Sequence, residues 1–170
     1  MVVALAVAHL LSGIAAIIRA NVARYSFVHF AWVVVLFFSC VDYWFSTWRL
    51  SSADGWSLAF VLYLLILATF LYISCYLIMP AERDGEKIDL VIFHDTNRRW
   101  YLGAYFIYVV FAISANMAIS GFEDVVFINI ASALLIASAW TWRSERVQVA
   151  AVVAQIAING YYAVKFIPSL

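Results

Sequence analysis

The chain has 170 residues, of which 67% are hydrophobic, 18% aromatic and only 12% charged, and ten basic side chains balance ten acidic ones. A soluble domain is about half apolar and about a quarter charged, and a chain this small could not bury so much apolar surface in water. The composition therefore excludes a soluble enzyme, a nucleic-acid-binding protein, a disordered chain and a secreted disulfide scaffold.

Six apolar runs predict six transmembrane helices, since a spanning helix needs about 20 mostly apolar residues. The spans cover about residues 2–18, 25–48, 56–79, 100–120, 124–142 and 147–167, so residues 1–170 form a single transmembrane domain. The chain is thus predicted to be an all-α polytopic membrane protein. Cys40 and Cys75 fall inside apolar runs without C-x-x-C spacing, which predicts small buried side chains rather than redox or zinc ligands.

The longest polar stretch, residues 80–99, separates the third and fourth spans. Pro80 ends the third span, because proline cannot continue a helix. The short apolar run Ile88–Phe93 cannot span a bilayer, and we predict that it lies at the inner membrane surface.

The end of this stretch predicts the start of the fourth helix. Asp95 or Thr96 is predicted to cap a helix that begins near Asn97. Arg98 and Arg99 would oppose the helix dipole at that position, so we interpret them as charges that anchor the loop on the inner side. The functional alternative for this loop is a docking surface or gate.

Basic residues are distributed unevenly between the two sides of the predicted bundle. The loops after the first, third and fifth spans hold eight Lys and Arg, whereas the opposite side holds only Arg49 and Lys165. Cytoplasmic loops carry such an excess, so the loop 80–99 is predicted to be cytoplasmic and both termini to lie on the non-cytoplasmic side. A bacterial cytoplasmic (inner) membrane fits this bias, and other membranes follow the same rule.

Short matches between the two halves raise the hypothesis of a 3+3 inverted repeat. Residues 20–23 resemble residues 115–118, and Thr-Trp-Arg occurs at both 47–49 and 141–143. Each unit would hold three spans, so the second unit would enter the membrane inverted, as in many transporters and some channels. Matches this short also arise by chance in apolar sequence.

Polar side chains within the spans are the functional candidates, because such groups are costly in hydrocarbon. A helical rise of about 1.5 Å per residue places one set of them in the outer half of the membrane. The set comprises Asp42, Asn116, Asn129 and Asn159 at one level, with His9 and Gln155 just below. Because a polar group facing lipid finds no partner, we predict that these side chains point inward and line an outward-facing cavity.

Each candidate also has a structural interpretation. Asp42 could form an ion pair with Arg49, and the amides could serve as hydrogen-bonded links between helices. His9 could be a satisfied packing residue. His29, near the inner end of the second span, is either an inner-side functional group or a side chain that meets lipid phosphate.

No cofactor or metal is predicted. A haem shared by His9 and His29 is disfavoured, because the helical rise separates the two histidines by roughly 9 Å in depth. His94 and Asp95 lack further ligands at metal-binding spacing. The chain contains none of the common catalytic motifs, so no catalytic residue is assigned and an enzyme is not favoured.

The sequence therefore predicts a small integral membrane channel or transporter for a small solute or ion. Asp42 would attract a cation or exchange a proton, with His9 and Gln155 as the step at the midplane. A homo-oligomer is expected, because six spans leave little room for a wide pore. The alternative is a non-catalytic accessory or structural subunit of a larger membrane protein complex. A membrane enzyme, or a quinone- or haem-associated protein, is a third interpretation.

Overall fold

The structure is a computed structural model that describes residues 1–20, 22–50, 57–80, 87–120 and 124–166. The helices are α1 (Val2–Arg19), α2 (Phe27–Leu50), α3 (Leu58–Ile78), α4 (Leu90–Ser120), α5 (Asp124–Thr141) and α6 (Glu145–Phe166). All six are long and apolar enough to cross a membrane. The prediction of a helical multipass membrane protein with six spans is confirmed as far as the number, length and composition of the helices are concerned.

The outer surface of the bundle is apolar. Leu134 is 67% exposed and Val164 is 78% exposed, and Leu62 and Val153 are each about half exposed. Soluble monomers rarely expose contiguous apolar patches of more than a few hundred Å². This outer surface is therefore suited to contact with hydrocarbon, as expected of an integral membrane protein.

The interior is packed with apolar and aromatic side chains. Trp32, Leu36 and Leu71 are fully buried, and so are Cys40 and Cys75, as their apolar surroundings in the sequence predicted. The two cysteine Sγ atoms lie 3.7 Å apart across the contact between α2 and α3.

Five helices form a ring and the sixth lies outside it. Among the described residues, α2 contacts α3, α3 contacts α4, α4 contacts α5, α5 contacts α6 and α6 returns to α2. α1 packs against α3 and α2, on the outside of this ring. In a 3+3 repeat α1 would correspond to α4, which belongs to the ring, so the packing does not display the repeat. Asn21, one of the matched residues, lies outside the described residues.

A short parallel pairing, which the sequence did not predict, joins two loops at one end of the bundle. β1 (Val22–Arg24) pairs with β2 (Ile88–Asp89), and the Arg24 Nε donates a hydrogen bond of 2.7 Å to the Asp89 carboxylate. β1 leads into α2 and β2 leads into α4. The pairing therefore holds the starts of these two helices beside each other.

α4 begins at Leu90, so the prediction of a start near Asn97, capped by Asp95 or Thr96, is wrong. The 31 residues of α4 span about 46 Å, whereas the hydrocarbon core of a bilayer is about 30 Å thick. A helix of this length extends beyond the core, where a polar stretch can remain helical. The polar residues before Trp100 form this extension, and the predicted span 100–120 lies within the same helix.

Asp89 is the residue that caps α4. Its Oδ1 accepts hydrogen bonds from the backbone amides of Val91 at 3.0 Å and Ile92 at 3.1 Å. These amides have no partner within the helix, so a carboxylate before the first turn stabilises the helix. The run Ile88–Phe93 is consequently not a separate surface segment, since it is divided between β2 and the first turn of α4.

Stability is expected to depend on the ionisation of Asp89. Hydrogen bonds from the Ile92 amide and the Arg24 side chain hold the pKa of this carboxyl below its usual value. A pKa lowered by folding stabilises the protein above the ordinary Asp value of about 4 and ceases to do so as the pH falls through the lowered value. The melting temperature in detergent should therefore fall more steeply on acidification in the native protein than in Asp89→Asn, whose cap does not titrate. Parallel pH profiles would contradict this assignment.

Candidate functional site

A cavity of about 120 Å³ lies inside the ring of five helices. Side chains from α2, α3, α4, α5 and α6 line it. The predicted polar residues found in its wall are Asp42, Asn116, Asn129, Gln155 and Asn159. One water molecule requires about 10–15 Å³ by the same measure, so the cavity has room for several waters or a small hydrated ion.

His9, the remaining member of the predicted set, is not among the residues that line the cavity. Its ring stacks on Tyr76 of α3, with the two ring centroids 4.7 Å apart. Helical depth placed His9 at about the level of the cavity, but α1 lies outside the ring and its side chains meet α3 instead. The structure therefore places His9 apart from the other predicted polar residues.

Asp42 is the one charged side chain among the described residues that line the cavity. Tyr162 lines the same cavity and lies near the Asp42 carboxylate. The side chain of Arg49, the predicted ion-pair partner, lies outside the described part of the structure. A carboxylate in such a cavity favours a cation, because water inside a membrane protein screens charge less than bulk water does.

Two amide side chains of α6 contribute further polar atoms to the wall. The Gln155 Nε2 donates to the Ser132 Oγ at 3.1 Å and to the Asn159 Oδ1 at 3.0 Å. The predicted interhelical link is thus present between α6 and α5. The Gln155 Oε1 and the Asn159 Nδ2 are buried and have no hydrogen-bond partner among the described residues. They leave one acceptor and one donor available to a small polar guest.

Hydroxyl groups that the sequence analysis did not select complete the wall. The Ser39 Oγ and the Tyr105 hydroxyl share a hydrogen bond of 2.8 Å, and Tyr105 stacks on Tyr108 with centroids 5.9 Å apart. The spacing of Tyr101, Tyr105 and Tyr108, four and then three residues apart, puts them on one face of α4. This spacing in the sequence could have indicated that the tyrosine side chains share one face of the helix.

A second polar cluster lies at the opposite end of the ring, near the starts of α2 and α4. His29 is 0% exposed and His94 is 7% exposed. Contact of His29 with lipid phosphate is therefore excluded. Both ring nitrogens of His29 and the His94 Nε2 have no hydrogen-bond partner among the described residues. The His94 Nδ1 shares a hydrogen bond of 2.7 Å with the Tyr101 hydroxyl.

Arg98 forms a cap for α5. Its side chain is only 3% exposed, and the Gln148 amide supports it by donating to two of the same carbonyls. The Arg98 Nη1 donates to the backbone oxygens of Ala139 at 2.6 Å, Trp140 at 3.0 Å and Trp142 at 3.2 Å. The last carbonyls of a helix have no partner within it and carry its negative dipole end, so a cation stabilises them.

The other charges at this end form a surface network. Asp95 accepts a hydrogen bond of 2.8 Å from the Arg143 Nε and lies 3.8 Å from the Arg98 Nε. The Asp95 carboxylate raises the pKa of Arg143. Arg99 is exposed. Of the predicted inner-side residues, His29 and Arg98 are therefore buried in the bundle and Arg99 lies on its surface.

Neither a family model, nor a curated protein, nor a solved structure matches this chain. In the described ranges, no group of three or more His, Cys, Asp or Glu side chains is arranged to hold a metal ion. The fold and the site together define a class, namely a multipass helical membrane protein with an internal polar cavity.

Proposed function

We propose that the chain is a small membrane channel or transporter that admits a small cation to the cavity around Asp42. The observation that carries the proposal is the convergence of one carboxylate and four amide side chains, from α2, α4, α5 and α6, on a single cavity. Polar groups inside a membrane bundle are costly and typically mark solute or ion pathways. The unpartnered oxygen of Gln155 adds a neutral cation ligand beside the carboxylate.

An orientation accompanies this proposal. The cavity is formed by the second halves of α2 and α4, whereas Arg24, Arg98 and Arg143 lie at the other end of the bundle. By the positive-inside rule the basic end faces the cytoplasm of a bacterial inner membrane. The cavity and both termini then face the non-cytoplasmic side.

The proposal is tested by the ion current that purified protein carries across liposome membranes in potassium chloride. Asp42→Asn keeps the shape of the side chain and removes its charge. We expect the current to fall about tenfold, which corresponds to a loss of about 1.4 kcal/mol of attraction for the cation. The current would be measured as dissipation of an imposed membrane potential.

Asp124→Asn is the matched control for Asp42→Asn. Asp124 lies at the same end of the bundle, but its side chain is 72% exposed and forms an ion pair with Lys165. Its substitution should leave the current unchanged. The proposal would be refuted if Asp42→Asn carried as much current as the native protein, or if the native protein carried none.

The exposed face of α6 favours a second candidate, an accessory subunit of a larger membrane complex. α6 is the least buried of the described helices, and its outer groove is lined by Ala150, Val153, Ala154 and Ala157. Small residues allow another membrane helix to approach closely. Gentle solubilisation followed by native gel analysis distinguishes the cases, because unlike chains indicate a complex and identical copies indicate the expected homo-oligomer.

A further inference from the structure

We infer that the moving cation is a proton, and that His29 and His94 carry it from the cavity towards the basic end of the bundle along the contact between α2 and α4. The inference rests on the proposed function, since it names the species that the same cavity admits. It assigns a role to the buried histidine cluster, which the cavity itself does not contain.

One face of α2 presents the first side of this route. His29, Trp32, Ser39 and Asp42 follow one another at spacings of three, seven and three residues. Residues three or seven apart lie on the same side of an α-helix, since two turns contain about seven residues. Polar atoms therefore run along α2 from the histidine cluster to the carboxylate of the cavity.

One face of α4 presents the other side. His94, Tyr101, Tyr105 and Tyr108 follow one another at spacings of seven, four and three residues. Because the paired strands β1 and β2 start α2 and α4 side by side, the two faces run in the same direction and meet. The bond between Ser39 and Tyr105 joins them at the cavity.

Unpartnered nitrogen atoms mark the part of the route beyond the cavity. The Trp32 Nε1 and both nitrogens of His29 are buried without a hydrogen-bond partner among the described residues. The His29 ring packs against Phe93, the residue before His94, with centroids 5.8 Å apart. A buried polar atom without a partner costs about 1–3 kcal/mol, so the presence of several on this contact suits a functional role. The His9 Nε2 is also unpartnered among the described residues, but it lies outside the ring.

The closed packing of this half discriminates between cations. Trp32 and Tyr101 are both 0% exposed, and along α2 and α4 they come between the histidines and the residues that line the cavity. A hydrated alkali cation would have to displace these side chains. A proton needs only groups that can both accept and release it, such as imidazoles and hydroxyls, whereas the Trp32 N–H only donates and is not a relay group.

The histidines can transfer a proton without any other bond changing. An imidazole accepts a proton on its free nitrogen, becomes an imidazolium and releases a proton from the other nitrogen. The hydrogen bond between Tyr101 and the His94 Nδ1 supplies one such neighbour. One proton enters from the cavity side and one leaves near Asp95, which is partly exposed at the other end.

Charged groups of both signs lie near His94. Asp95 and Arg98 of α4 lie beside His94, and Arg143 from the segment after α5 binds Asp95. Arg98 repels an imidazolium and Asp95 attracts it, while the carbonyls of α5 partly neutralise Arg98. From α6, the Gln148 side chain faces His94, and its Oε1 is available to accept a hydrogen bond from a protonated Nε2.

The test is proton uptake into liposomes that contain the full chain and an internal pH-sensitive dye, with potassium and sodium replaced by N-methylglucamine. We expect the native protein to sustain uptake down a pH gradient. His29→Leu and His94→Leu should each reduce uptake at least tenfold. Tyr101→Phe, which removes only the hydroxyl bound to His94, is a milder second variant that should also reduce uptake.

His9→Leu is the matched control, because His9 is a membrane histidine outside the ring, and it should leave uptake unchanged. The inference would be overturned if His29→Leu, His94→Leu and Tyr101→Phe all took up protons at the rate of the native protein. Asp42-dependent current that requires potassium and is absent in N-methylglucamine would also overturn it, while the proposed function would stand. Loss of current under both conditions would refute the proposed function itself.

Discussion

Replacement of Arg98 by Met is expected to lower the free energy of unfolding by about 3 kcal/mol, the largest effect of any substitution considered for this chain. Methionine retains much of the apolar stem but donates no hydrogen bond. The carbonyls at the end of α5 that now receive the Arg98 Nη1 would lose a charged donor in a buried position. Thermal or denaturant-induced unfolding in detergent measures the loss.

Arg99→Met provides the comparison, because Arg99 is the next residue and lies on the surface. Surface substitutions of this kind usually change stability by less than about 0.5 kcal/mol. Arg98→Lys should fall between the two, since an ammonium group can bind a carbonyl but lacks the planar set of donors of arginine. Equal stabilities of Arg98→Met and Arg99→Met would show that Arg98 is only a surface charge.

The depth of the cavity in the membrane could be predicted from the sequence, but the complete set of residues that line it could not. Counting residues along each apolar run gives depth, and Asp42, Asn116 and Gln155, which this depth groups together, line one cavity in the structure. Which helix joins the ring depends on packing between helices, and no residue count contains that information. For this reason His9 had a suitable depth and yet stacks on Tyr76 outside the ring.

The histidine cluster was hidden by a wrong helix boundary. The polar run before Trp100 has the composition of a loop, and this composition conceals the helical periodicity that joins His94 to Tyr101. The capping role of Arg98 was less accessible still. Its partners are backbone carbonyls more than 40 residues away, and carbonyls carry no signature in the sequence.

Both polar clusters contain buried atoms without a hydrogen-bond partner among the described residues. The Gln155 Oε1 and the Asn159 Nδ2 lie at the cavity, which has room for water, and the nitrogens of His29 lie at the other end. Side chains that only fill space would be apolar at such positions. Replacing one of these groups therefore allows its effect on function and its effect on the free energy of unfolding to be measured separately in the same variant.

His29→Leu is accordingly expected to raise the free energy of unfolding by about 1–2 kcal/mol, because it removes two polar atoms that are buried without partners. Leucine has a similar volume and would pack against Phe30 and Phe93, whose rings now contact the imidazole at centroid distances of 5.8 Å. The change is measured by thermal unfolding of the purified variant in detergent.

His94→Leu is the control that distinguishes this cause from a general gain in apolar packing. It deprives the Tyr101 hydroxyl of its 2.7 Å partner, so this variant should not gain stability. A lower stability of His29→Leu would mean that the His29 ring has a bonded partner in the membrane. A more stable His29→Leu protein that no longer carries protons would identify the histidine as a residue retained for function at the expense of the fold.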